Sequence, residues 1–210
     1  MNDVKPSIRK LSEEKHKELF DYIMDLGPFD NYELTEEFTN KLKPYISNMV
    51  ESEDAFRLKT QTMISTLRLL GYNEEQMLMF FCNDIGLLVA DANKVFENVL
   101  LFGKIIDKNG KSYREEGVFK KPEDLRISPQ RTYSRIRFLE SEEGMRYRRK
   151  KGPVTRKNAI VQSEAEFEKQ FHVDNNDLAR RYPFDIHALD KIIRWDENKD
   201  FIIGLRKRGF

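Results

Sequence analysis

The chain has 210 residues, 39% of them hydrophobic and 35% charged, with a formal net charge of +1. That length allows one large domain or two small ones, each with a real core, and fifteen Phe with eight Tyr exclude a disordered chain, which lacks core aromatics. No apolar run reaches the ~20 residues that span a bilayer, and a lone cysteine, Cys82, excludes an internal disulfide and fits a reducing compartment.

The N-terminal stretch Met1-Asn2-Asp3-Val4-Lys5-Pro6 lacks the apolar core of a secretory signal. The first 37 residues are too acidic for an organellar transit peptide, so the cytoplasm is the expected compartment. Residues 11–26 predict a helix with Ser12 as N-cap and Glu13 and Glu14 in its first turn. Its apolar stripe is Leu19, Phe20, Ile23 and Leu26, and Gly27-Pro28 ends it. A second helix is expected over about 34–50 through Phe38, Leu42, Tyr45, Ile46 and Met49, with Pro44 bending or splitting it.

Phe56, Met63, Ile64, Leu67 and Leu70 mark one face of a long helix, closed by Gly71 as a residue able to take positive φ. Asn73, followed by Glu74, Glu75 and Gln76, predicts a capping box for the next helix. That helix is nearly all apolar, and Cys82 within it reads as a small buried hydrophobe. Ala92, Val95, Phe96, Val99 and Leu100 predict a further helix over 91–101. Residues 103–122, with Asn109-Gly110, read as a loop, the alternative being a hairpin of 104–106 against 112–114. Ser128-Pro129 then opens a helix that places Tyr133, Ile136 and Leu139 inward, with Phe138 read as core too. Residues 140–144 are expected to end it. Helices are also expected over 163–170, from Asp174 to the Tyr182-Pro183 pair, and over 185–196, with a frayed strand or tail at 201–210.

Charge is distributed unevenly. Residues 1–100 carry a net −7, residues 101–160 a net +9 and residues 161–210 a net −1. Within the middle segment, residues 145–157 hold seven basic side chains and no acidic one. Concentrated Lys and Arg release counterions from a polyanion, which is the usual source of phosphate-backbone affinity. The bland alternative is a solvated basic loop without a partner. Arginines also interleave with aromatics here, as in Arg146-Tyr147-Arg148, an arrangement able to combine phosphate contacts with base stacking. The side chains expected to grip nucleic acid are Arg131, Arg135, Arg137, Arg146, Tyr147, Arg148, Arg149, Lys150, Lys151, Arg156 and Lys157, with Tyr147 exposed.

Two passages share a form in which a turn supplies an N-cap, a short helix runs to a break and a longer helix returns. One begins Leu70-Gly71-Tyr72-Asn73-Glu74-Glu75-Gln76-Met77 and the other Phe171-His172-Val173-Asp174. Their caps, Asn73 and Asp174, lie close to three periods of roughly 34 residues apart. With Ser128-Pro129 and Arg180-Arg181-Tyr182-Pro183, over about residues 60–195, the chain resembles the mitochondrial transcription termination factor family, helical-repeat proteins that bind nucleic acid. The resemblance implies stacked helical repeats and a nucleic-acid partner. The departures are Ile85 where proline is expected, a second passage about three residues shorter, a middle repeat broken by the basic run and no transit peptide. They imply a short relative of bacterial or phage origin.

His16, His172 and His187 are too scattered for a metal site, and no Cys/His spacing suggests zinc. Walker, dinucleotide-binding and nucleophile-elbow motifs are lacking. Glu115-Glu116, Glu123-Asp124 and Glu142-Glu143 read as surface pairs. No cofactor, metal or catalytic residue is expected. The predicted fold is all-α, an irregular helical array or solenoid-like bundle of short helix-turn-helix units. An acidic helical segment, 1–55, would precede a repeat-like domain, 56–200, carrying a basic loop at 144–160, with a basic tail at 201–210. The function expected is nucleic-acid binding by occupancy rather than catalysis, in transcription or replication control. The alternative is a protein-protein interaction module whose basic loop docks on an acidic partner. DNA versus RNA and the oligomeric state stay open.

Overall fold

Local capping chemistry sets most of the helix ends. The structure, a computed structural model, describes residues 12–26, 32–48, 52–105, 112–150, 156–185 and 187. Among them it contains eleven α-helices, two 3-10 helices and no strand. The chain is an all-α helical array, and it divides into two compact units, Met1–Ala92 and Asn93–Phe210. Residue 55, where the sequence suggests a division, lies inside a helix, and residues 201–210 lie outside the described residues.

The first unit holds α1 (Glu13–Leu26), α2 (Tyr32–Ser47), α3 (Glu53–Leu69) and α4 (Glu74–Asn83), then a 3-10 helix over Ile85–Val89. Ser52 caps α3 by accepting from the Ala55 N–H at 3.3 Å. The predicted face of α3 is buried, with Phe56, Met63 and Leu67 fully enclosed. Gly71 takes a φ of 85°, while Tyr72 N donates to Leu67 O at 3.1 Å and Gly71 N to Arg68 O at 2.9 Å. This is the Schellman pair, which satisfies carbonyls left open at a helix end. Asn73 and Gln76 form the expected capping box. Pro44 neither splits nor ends α2: it lies in the last turn, where only the bond to residue 40 is lost. Cys82 is 3% exposed, its thiol directed at Leu34 O, and burial pushes that thiol up to about 11.

The second unit contains α5 (Ala92–Gly103), α6 (Tyr113–Lys120), a 3-10 helix over Pro122–Arg126, α7 (Pro129–Glu140), α8 (Glu142–Lys150), α9 (Arg156–Val161), α10 (Glu164–Phe171) and α11 (Asn175–Arg181). Helix α7 is its hub, packed against α8, α9 and α11. Tyr133, Ile136, Phe138 and Leu139 are buried as predicted.

Several expectations need correction. Residues 113–120 form α6 rather than a loop or hairpin, because Ser112 and Glu115 make a reciprocal capping box. Residues 106–111, including Asn109-Gly110, lie outside the described residues. Asp124 is not a surface carboxylate: it is 7% exposed and accepts from the Tyr113 hydroxyl at 2.5 Å. On α5 the buried set is Val95, Asn98, Val99, Leu101 and Phe102, with Phe96 and Leu100 half-buried. Asn98 is buried because its amide donates to Leu125 O at 2.9 Å and Ile127 O at 2.6 Å. The expected helix over 185–196 lies outside the described residues apart from Asp185 and His187.

Candidate nucleic-acid interface

The basic run is not one long loop. Its first half, through Lys150, is α8, and its last two cations, Arg156 and Lys157, open α9. Helix α7 stops at Ser141, within the expected 140–144: the Ser141 N–H donates to Arg137 O and Phe138 O, and its hydroxyl bonds Phe138 O at 2.6 Å. The same hydroxyl accepts from Gly144 N at 3.2 Å, so α8 begins within two residues. Gly144 is buried against the end of α7. A Cβ there would lie 2.1 Å from Phe138 O and 2.8 Å from Leu139 Cα, closer than any side chain tolerates. That close approach fixes the root of the basic helix.

The arginines of α7 are not available as expected. Arg135 is fully buried and is withdrawn from the predicted surface. Its Nη1 donates to Ile160 O at 2.8 Å and Gln162 O at 2.6 Å, and its Nε and Nη2 donate to Asn175 Oδ1 at 3.1 and 3.0 Å. The guanidinium also lies 4.3 Å from the Phe167 ring centroid. Desolvation, then the neighbouring Arg131 charge, lowers its pKa to about 10, so it remains a cation at neutral pH. Its role is to tie the carbonyls at the end of α9 to the start of α11. Arg131 pairs with Glu164 at 3.0 Å and Arg137 approaches Glu140 at 4.0 Å, both arginines half-buried.

Arg146 is different. Its side chain is 73% exposed, and its partner Glu142, at 3.6 Å, is 81% exposed. Such a solvated pair contributes little and yields readily to a competing anion. Tyr147 is half-buried rather than exposed, its ring centroid 6.3 Å from that of Phe171 and 6.0 Å from that of His172. Arg148, Arg149 and Lys150 belong to α8 by their backbone, and Arg156 and Lys157 to α9, but their side chains lie outside the described residues, as does Lys151 entirely.

Two cations escape the sequence reading of the site. Arg180 and Arg181 end α11, and the fold sets Arg181 beside α8: it bonds Glu143 at 3.1 Å and Asp177 at 2.5 Å, while Arg180, 77% exposed, lies 3.9 Å from Asp177. In the sequence they stand out only as part of Arg-Arg-Tyr-Pro, and nothing local brings residue 181 to residue 143. Among the described residues, no group of three or more His, Cys, Asp or Glu side chains is placed to hold a metal ion, and no helix is long and apolar enough to cross a membrane. Comparison with known proteins finds no matching family model, no similar curated protein and no similar solved structure.

Proposed function

We propose that the protein binds nucleic acid through its phosphate backbone, with the basic run from α8 to α9 as the contact and occupancy rather than catalysis as the action. The observation that carries this reading is the run itself, seven cations and no acid in residues 145–157, starting on a helix anchored by Gly144. The arginines of α7 drop out of the contact. Arg131 and Arg137 face their own carboxylates and Arg135 holds the core together. Arg180, 77% exposed at the end of the helix that Arg181 ties to Glu143 of α8, joins it instead. The role in transcription or replication control implied by the family resemblance rests on this binding.

A salt titration of affinity tests the proposal. For the full chain, log K should fall linearly with log salt from ~50 mM upward, by roughly 0.9 in slope per duplex phosphate neutralised or 0.7 per single-strand phosphate. Replacing Arg146, Arg148, Arg149 and Lys150 together by Gln should lower the slope by about one for each phosphate that is no longer neutralised. Absence of salt-dependent affinity for both DNA and RNA would end this reading.

A further inference from the structure

We propose that Tyr147 and His172 form a stacking platform for an unpaired base, which makes the preferred ligand of this surface single-stranded. The inference rests on the phosphate-binding reading above and adds the strandedness of the partner. Tyr147 lies one turn beyond Gly144 on α8, and His172 is the residue after α10. Their ring planes stand at 53° with centroids 6.0 Å apart, a tilted ring contact rather than a parallel stack. Phe171 backs the Tyr147 ring at an interplanar angle of 80° and is itself 1% exposed, so it seals the inner side. The outer side is formed by an exposed imidazole and a half-buried phenol ring.

The backbone at His172 points the same way. Its φ is 53°, and it is the only non-glycine residue with positive φ among the described residues. Glycine or asparagine is the favoured residue where a helix ends in this conformation. Histidine, with asparagine and aspartate, is among the non-glycine side chains most often found there, and non-glycine residues in this region concentrate at binding sites.

Cations flank the rings. Arg146 precedes Tyr147 in sequence and is largely exposed. Glu143, one helical turn before Tyr147 on the same side of α8, holds Arg181. A strand running along α8 would meet the exposed Arg146 beside the ring pair and, about one turn or roughly 5.4 Å away, the Arg181 guanidinium held by Glu143 and Asp177. Bases inside a duplex are stacked on one another and cannot present their faces to a protein ring, whereas every unpaired base can. A duplex would use the charges alone.

The test uses the full chain with a fluorescein-labelled oligothymidylate and a duplex of equal phosphate count. Single strands should bind more tightly than the duplex. His172→Gly and Tyr147→Leu should each weaken single-strand binding roughly 5- to 150-fold, the range of one base-aromatic stack, with the salt slope unchanged. His172→Gly should leave the thermal midpoint level or raised, since glycine suits the backbone, which separates ring loss from misfolding. Equal affinity for duplex and strand, with both variants binding like the parent chain, would overturn the platform and leave phosphate binding standing. Lack of salt-dependent binding to either ligand would overturn both.

Discussion

Arg135 joins three helices of the second unit through carbonyl oxygens. It reaches Ile160 O, Gln162 O and Asn175 Oδ1, and Asn175 in turn donates to Glu168 through its backbone and side-chain N–H groups at 3.0 and 2.9 Å. Arg135→Met should therefore leave several buried acceptors unpaired, at about 1–3 kcal/mol each. A fall in unfolding free energy by several kcal/mol, measured by denaturant titration, would show this, with Arg135→Lys recovering only part because an ammonium lacks the planar fork. Gly144→Ala should destabilise by roughly 2 kcal/mol, within the range of overpacked sites, because the blocking atoms belong to the backbone of α7. Cys82, with its thiol buried and pushed up to about 11, should react with a thiol reagent at pH 8 only after unfolding. Burial of Cys82 was legible from Met79-Phe80-Phe81, since its neighbours in sequence are its neighbours in the core. Burial of Arg135 was not. With Arg131 it makes an i, i+4 pair that looks like a charged outer face. Only packing of α8, α9 and α11 around α7 leaves that helix almost no outer face.

Helix ends were the most readable elements because their causes are local. Gly71, Asn73, Ser128-Pro129 and Asp174 all stand where the sequence puts them, and each boundary depends on atoms within a few residues. Helix α6 was harder to read although its Ser112-Glu115 signature was present, because the Asn-Gly pair just before it argued for a turn. Helix α8 looked like loop because seven cations suggest a solvated segment. Its Glu142-Glu143 first turn and the Ser141 break let it form directly after α7. The junction of α10 and α11 makes a prediction with pH. Backbone and side-chain N–H groups of Asn175 hold the Glu168 carboxyl below the usual carboxylate range, and Ser163 does the same for Glu166. A carboxylate depressed in the folded state stabilises it above the unfolded pKa of about 4.3. That contribution disappears as pH falls through the folded value. Acid titration of helicity should therefore show α10–α11 loosening below about pH 4.3, with a shallower acid limb in Glu168→Gln and lower stability for that variant at neutral pH.

At the scale of the whole chain, the net charge of +1 conceals an acidic first hundred residues and a strongly basic middle segment. The structure assigns nearly all of the acidic part to one unit and the basic run to the other. Segment charge was legible from composition. Which cations remain accessible was not, because that depends on pairings such as Arg131 to Glu164 and Arg181 to Glu143, which span 33 and 38 residues. The most direct measurement is photocrosslinking of the full chain to a single strand carrying a thio-substituted base, followed by peptide mapping. Crosslinks should fall on peptides covering residues 142–157 and 172–181. Crosslinks confined to the acidic first unit, or none at low salt, would contradict the proposed interface.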